Sequence, residues 1–414
     1  MVIQRNFLPS LFGSILVMVM TSAVAPAGGK EIGPDANLCA EINALMPGET
    51  LLLRPGDYRG PCRIRRGGAA GAPITVAAQS LAERPRIVYD GSGANVIEIR
   101  ADYVTLRGLK IGPTQRHVDA VRIFSRAGVT VEDCEFARLG GIAIAATHHS
   151  INGFVVRRNI VTENGATAMY FGCHDGSECE ISGLLVERNF IRGVDAPEPE
   201  IGYGIQVKLN SSGIIRDNVI VETKGPGIMV YGALDPTKRS VVERNFVSGS
   251  RRSSGILIGG GPAIVRNNVV MHNFEGGITL QDYGNRGLLR QITVANNTSY
   301  RNANGEFVVP AQAKLSDSIF AHNAAAAEGK PALPRSQDGL KLVQNVDCST
   351  IACFADPAAL DFSPLAGSVL DRRSRANAAD MPADDFFGRS RNGSATAGAV
   401  AFPGPPIILG IKPE

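Results

Sequence analysis

Lys208 and Tyr231 are the residues whose types and setting point most directly to chemistry in this chain of 414 residues. Removing a carbon-bound proton beside a carboxylate needs a base of lowered pKa and a partner that donates or returns a proton. A lysine partly desolvated near other cations can serve as that base, and a tyrosine as acid or hydrogen-bond donor. Lys238, Arg239, Arg251 and Arg252 lie in neighbouring segments and are expected to neutralise the carboxylate. His174, in Cys173-His174-Asp175-Gly176-Ser177-Glu178-Cys179, is a further acid/base candidate. The same lysine and tyrosine also fit a blander description, a surface lysine whose stem lies across an aromatic ring. No zinc spacing, phosphate loop or nucleophile elbow is present.

The elements that must position these residues are written as a repeat. The phrase apolar-x-x-Asn-x recurs at Asn159, Asn189, Asn218, Asn245, Asn268 and Asn297, with successive differences of 30, 29, 27, 23 and 29 residues. A second phrase, Gly-Ile-x-apolar, runs out of phase with it, beginning at Gly141, Gly204, Gly227, Gly255 and Gly277. Short alternating strands with asparagine and glycine at the corners describe turns of an all-β, single-stranded parallel β-helix, because one such turn cannot bury its apolar face alone. A stacked asparagine can bridge backbone groups above and below it, and Cys134 and Ser318 are expected to continue that column at its two ends. Alternation along the second phrase turns Lys208, Tyr231 and Gln281 outward, with Phe171 in the same column and Gln206 in the column beside it. Equivalent positions on adjacent coils lie about 4.8 Å apart, so Lys208 and Tyr231 are expected to touch. Gln206, Phe171, Gln281 and Asp282 would line a substrate groove with the four cations.

Domain organisation follows from where the repeat holds. Residues 1–27 read as an export signal, with Arg5, the apolar stretch Leu11–Met20 and a small-residue site ending at Ala27. An N-terminal helical cap is expected over 28–73, coils over 74–323, and a C-terminal cap or tail over 324–414. A net charge of +3 over 414 residues argues against a nucleic-acid partner, and the apolar stretch is too short to span a bilayer. Setting Cys134 aside, six cysteines fall into local pairs, Cys39 with Cys62, Cys173 with Cys179 and Cys348 with Cys353. With an export signal these read as disulfides, and the protein is expected to be periplasmic or extracellular.

The chain resembles the right-handed parallel β-helix (pectin-lyase-like) families that act on acidic polysaccharides. The resemblance rests on Pro47-Gly48-Glu49-Thr50, Arg54-Pro55-Gly56-Asp57-Tyr58 and Asp361-Phe362-Ser363-Pro364-Leu365-Ala366-Gly367-Ser368. Gly204-Ile205-Gln206-Val207-Lys208-Leu209 is similar to the lysine-bearing coil of the alginate lyase and chondroitinase B type of polysaccharide lyase. Where that type places an arginine on the next coil, this chain has Tyr231. Tyr231-Gly232-Ala233-Leu234-Asp235-Pro236 is reminiscent of the mannuronan C5-epimerases. The resemblance implies a monomeric enzyme that takes the C5 proton of a uronate, ending in β-elimination or in epimerisation; a glycan-binding or envelope β-helix without catalysis is the alternative. No cofactor is expected. The acidic pair that helps bind calcium in the lyases falls here on Ile201 and Tyr203, which leaves Asp195, Glu198 and Glu200 in that loop as the remaining cation ligands.

Overall fold

The computed structural model describes residues 29–174, 179–372, 382–391 and 396–412, so the expected export signal lies outside the described residues. Each coil contributes one short strand to each of three parallel sheets of 13, 12 and 10 strands, here called A, B and C in the order the chain visits them. Ser240–Glu243 in A, Phe246–Ser248 in B and Ile256–Ile258 in C make one such coil. Pairing always runs to the coil before and the coil after, as in Ile228 between Ile205 and Ile256. The fold is therefore a parallel β-solenoid, and its interior is a column of Val, Ile, Leu and Phe side chains with no exposure to speak of. The stack is longer than the repeat suggested. It begins at Thr50–Leu53 and closes with Leu340–Val343 and Val346–Asp347, rather than spanning 74–323. At the first end Lys30–Ile32 takes the edge of sheet A, and a seven-residue helix, α1 (Leu38–Ala44), packs beside Cys62–Ile64.

Asparagines hold the corner between sheets A and B. Asn218 Nδ2 donates to Val186 O at 2.9 Å and to Asn245 Oδ1 at 2.9 Å, while its backbone N–H donates to Asn245 Oδ1 at 3.0 Å. The residue before each asparagine is left-handed, with φ of 53° at Arg188, 57° at Asp217 and 53° at Arg244. That conformation costs energy for a residue with a Cβ, and the ladder supplies the compensating hydrogen bonds. Cys134 does occupy this column, its N–H donating to Asn159 Oδ1 at 3.0 Å, and burial pushes its thiol up to about 12. At the far end the column runs through Asn323 and Asn345, not Ser318, whose hydroxyl instead accepts the N–H of Ile292. Two residues before the asparagines, charge alternates from coil to coil through Glu132, Arg157, Glu187, Arg216, Glu243 and Arg266. Ion pairs of 2.6, 2.7 and 2.6 Å join Arg157 to Glu132, Arg216 to Glu187 and Arg266 to Glu243.

Disulfides join Cys39 to Cys62, Cys173 to Cys179 and Cys348 to Cys353, which suits an oxidising compartment. Among the described residues no helix is long and apolar enough to cross a membrane.

Candidate active site

Sheet C carries the candidate residues on its outer face. Its register aligns Arg122, Ala145, Tyr170, Gln206, Met229 and Leu257 in one outward column. Two residues further along each coil runs a second column, which contains Lys208 and Tyr231. Backbone bonds place them on adjacent coils, Lys208 N–H to Phe171 O at 2.8 Å and Tyr231 N–H to Val207 O at 3.0 Å. The position one coil before Lys208 is Gly172, at φ +100°, where a Cβ would lie 2.9 Å from Lys208 Cβ. A side chain there would push against the base of Lys208, so glycine clears its path.

Lys208 Nζ sits 4.3 Å from the centroid of the Tyr231 ring and 6.0 Å from that of Tyr170. Both members of the pair are deeply covered, Lys208 being 6% and Tyr231 2% exposed. Tyr231 Oη accepts from Gln206 Nε2 at 3.1 Å and lies 3.3 Å from Tyr203 Oη. Its ring meets Tyr283 edge to face at 4.5 Å. Burial, and then the neighbouring Tyr203, hold the Tyr231 hydroxyl far above the ordinary phenol range. Burial likewise pushes Tyr170 up to about 12 and raises Tyr203. These phenols stay protonated at neutral pH, so they can donate a proton or a hydrogen bond but cannot act as bases. Because Gln206 donates to the Tyr231 oxygen, the Tyr231 hydrogen is left to point at Tyr203 or at a ligand. His174 is exposed beside this cluster, with Nδ1 3.2 Å from Tyr170 Oη, while 175–178 of its bridged loop lie outside the described residues.

Phe171 is not on this face. It points inward, fully buried, and packs edge-on against Phe154 at 5.3 Å. Tyr170, one residue earlier, is the outward residue. The expected register failed here because 166–171 carries no Gly-Ile step and is shifted by one residue from the reading: Met169 and Phe171 pair with the inward Ile205 and Val207, so Tyr170 falls beside Gln206. Gln281 is exposed at the C-terminal end of the second column. Asp282 spends its carboxylate on its own loop, accepting the N–H groups of Arg286 and Gly287 at 2.9 Å each. Lys238 pairs with Glu180, Arg251 with Asp195 at 2.6 Å, and Arg252 with Glu198, whereas Arg239 is exposed. Glu198 also faces Lys224 at 3.2 Å and Glu200 faces His117 at 3.9 Å. Asp195 and Glu198 are turned to basic side chains and Glu200 to His117, so the three do not converge on one point as calcium ligands do, and no group of three potential ligands gathers among the described residues. Tyr283, next to Asp282, was expected to line the groove and meets the Tyr231 ring; Tyr170 and Tyr203 were missed, and the Gly202-Tyr203-Gly204 step into a strand was the available signal for one of them.

Residues 173–349 match the family model described as right handed beta helix region. The fold is a right-handed parallel β-helix. Among solved structures, the pectate lyase Pel9A superposes with a TM-score of 0.57 at 16% identity, covering 91% of this chain and 97% of its own. The A-module of the Azotobacter vinelandii mannuronan C-5 epimerase AlgE4 gives 0.54 at 13% identity, covering 76% and 89%. At these identities the likeness is one of fold. No curated protein matches the chain by sequence.

Proposed function

We propose that this chain is an exported enzyme acting on an acidic, uronate-containing polysaccharide, through abstraction of the C5 proton and β-elimination. The observation that carries the reading is the Lys208 amine against the Tyr231 ring, with Gln206 orienting the Tyr231 hydroxyl. Unprotonated Lys208 would take the proton from C5, the C4–O bond would break as the C4–C5 double bond forms, and Tyr231 would give its proton to the departing oxygen. Return of a proton to the opposite face of C5 would instead give epimerisation. The two similar folds belong to a pectate lyase and a mannuronan C-5 epimerase, which supports an acidic glycan as substrate.

The test is incubation with a panel of polyuronates, following absorbance of an unsaturated product and solvent deuterium entering C5. Lys208→Ala should abolish turnover, and Lys208→Arg should fail with it because arginine stays protonated. Tyr231→Phe should lower kcat far more than it raises KM. If His174→Ala silences the enzyme while Lys208→Ala remains active, the base is under the bridged loop instead. A second reading, a glycan-binding β-helix without catalysis, is favoured by the low exposure of both Lys208 and Tyr231. Binding without either signal would select it.

A further inference from the structure

The outward columns of sheet C continue toward the N-terminus, where their character changes from aromatic to cationic. Arg63, Glu98 and Arg122 are in register on three successive coils. Arg65, Arg100 and Phe124 follow in the next column, fixed by Arg100 N–H to Ile64 O at 2.8 Å and Phe124 N–H to Ile99 O at 2.7 Å. The buried Glu98 carboxylate accepts from Arg63 Nε at 3.1 Å and from Arg100 Nε at 2.9 Å. Both guanidiniums are therefore held by their inner nitrogen, and their terminal nitrogens take no hydrogen bond among the described residues. Arg100 also lies 4.1 Å over the Phe124 ring, against which the His148 ring stacks at 4.6 Å.

Arg122 sets the state of that histidine. Its Nε donates to His148 Nε2 at 3.1 Å, so the imidazole is neutral and carries its hydrogen on Nδ1, as a donor. The other Arg122 nitrogens go to Asp119 and to Thr147 Oγ1. Arg122 is thus a positioning residue, and His148 offers a donor, not a base. Beside Arg63 a cavity of about 660 Å³ opens between α1 and Cys62–Ile64. Arg63, Arg65 and Arg66 line it together with Asn37 and Asn43, and no carboxylate does. Its walls are fixed: Asn43 bonds to Arg63 O at 2.9 Å and to Arg65 N–H at 2.8 Å, and the Cys39–Cys62 bridge ties the helix to the strand. Three guanidiniums in a concave site with no acidic partner in its lining form an anion site, and their planar forks match carboxylates.

We infer that this arginine-lined cavity and the Arg100–Phe124–His148 stack form a second, anion-binding site that holds uronate carboxylates of an acidic glycan along the coil axis. The inference rests on the acidic-glycan reading above. Arg63 is five coils from Lys208, about 24 Å at the usual strand spacing, so the site would grip a long chain well away from the reacting sugar.

Calorimetric titration of the whole protein with oligogalacturonates and oligomannuronates of graded length tests it. Arg65→Ala/Arg66→Ala and, separately, Arg100→Ala should weaken binding of long oligomers by about tenfold or more and reduce its salt dependence. Arg100→Lys should restore only part of that loss, because it keeps the charge without the fork. Wild-type binding that neither arginine variant weakens overturns this site and leaves the Lys208 reading standing. Loss of turnover on every substrate with arginine-dependent binding retained removes the enzyme reading and leaves this site standing. Absence of binding to any oligouronate at low salt overturns both.

Discussion

Buried titratable groups among the described residues divide into those on the outer face of sheet C and those that face the interior. Tyr231 belongs to the first kind. Burial keeps its proton, Gln206 aims that proton, and a lysine lies on its ring. Glu306 belongs to the second. Its carboxyl is fully buried and accepts from Ser299 Oγ at 2.6 Å and from Asn302 N–H at 2.9 Å. Burial outweighs those bonds and pushes it up to about 7 from 4.5. An acid whose folded pKa is raised binds its proton more tightly when folded. Its contribution to stability is complete below about 4.5 and is lost as pH rises through about 7. A shift of that size corresponds to roughly 3 kcal/mol. Glu306→Gln should flatten the fall in stability between pH 5 and pH 8, read as the slope of denaturant-derived stability against pH. An unchanged slope in the variant would place the titration elsewhere. No feature of the sequence marked Glu306, because its burial depends on the loop from Tyr300 to Phe307 folding under the last turn of sheet C.

The asparagine corner is the element most legible in the sequence. Its spacing was read directly because a side chain that must bond the coils above and below has few substitutes. Cys134 was placed by the same logic. The far end was misjudged because Phe320-Ala321-His322-Asn323 is followed by Ala324–Ala326, and alanine carries little periodic signal. Sheet C was harder for a related reason. Its strands are at most three residues long, and small or apolar side chains such as Ala145 and Met229 stand on the outer face too, so inside and outside share a composition. That ambiguity turned Phe171 outward in the reading, although the Lys208–Tyr231 contact survived because Gly204 and Gly227 are in register. Asn218→Leu tests the corner. It removes the acceptor of the Asn189 N–H, at 3.0 Å, and the donor to Val186 O, at 2.9 Å. Each buried partner left unpaired should cost about 1–3 kcal/mol. Thermal melting should therefore drop clearly for Asn218→Leu. A wild-type melting temperature would mean that the ladder contributes no net stability.

At the scale of the whole molecule, the open question of any solenoid is what covers the faces that stacking leaves bare. Sheet B answers it with the C-terminal segment. Val219, Phe246, Val269 and Ala324 stand on the outer side of that sheet, yet they are buried, packed in one cluster with Phe386, Ala397, Ala399 and Val400. The segment is fastened across several coils: Arg244 to Asp384 at 2.5 Å, Asn296 Nδ2 to Thr396 O at 3.0 Å, and Ala399 N–H to Thr298 Oγ1 at 2.9 Å. Arg391 is the central fastening. It is 3% exposed and donates to Asn267 Oδ1 at 3.0 Å and to the carbonyls of Asp384, Thr396, Gly398 and Ala399 at 2.8 to 3.2 Å. Nothing in the sequence announces this, since the pairing joins residues a hundred or more positions apart and follows no repeat. Arg391→Ala leaves those acceptors in a dry setting, and a loss of about 3 kcal/mol or more is expected. The loss should be local at first. Hydrogen exchange should quicken at 384–391, at 396–401 and along the outer side of sheet B, while the asparagine corner stays protected until the coils themselves unfold. Uniform loss of protection in Arg391→Ala would instead make strap and coils one cooperative unit, with the strap part of the core and not a cover laid over it.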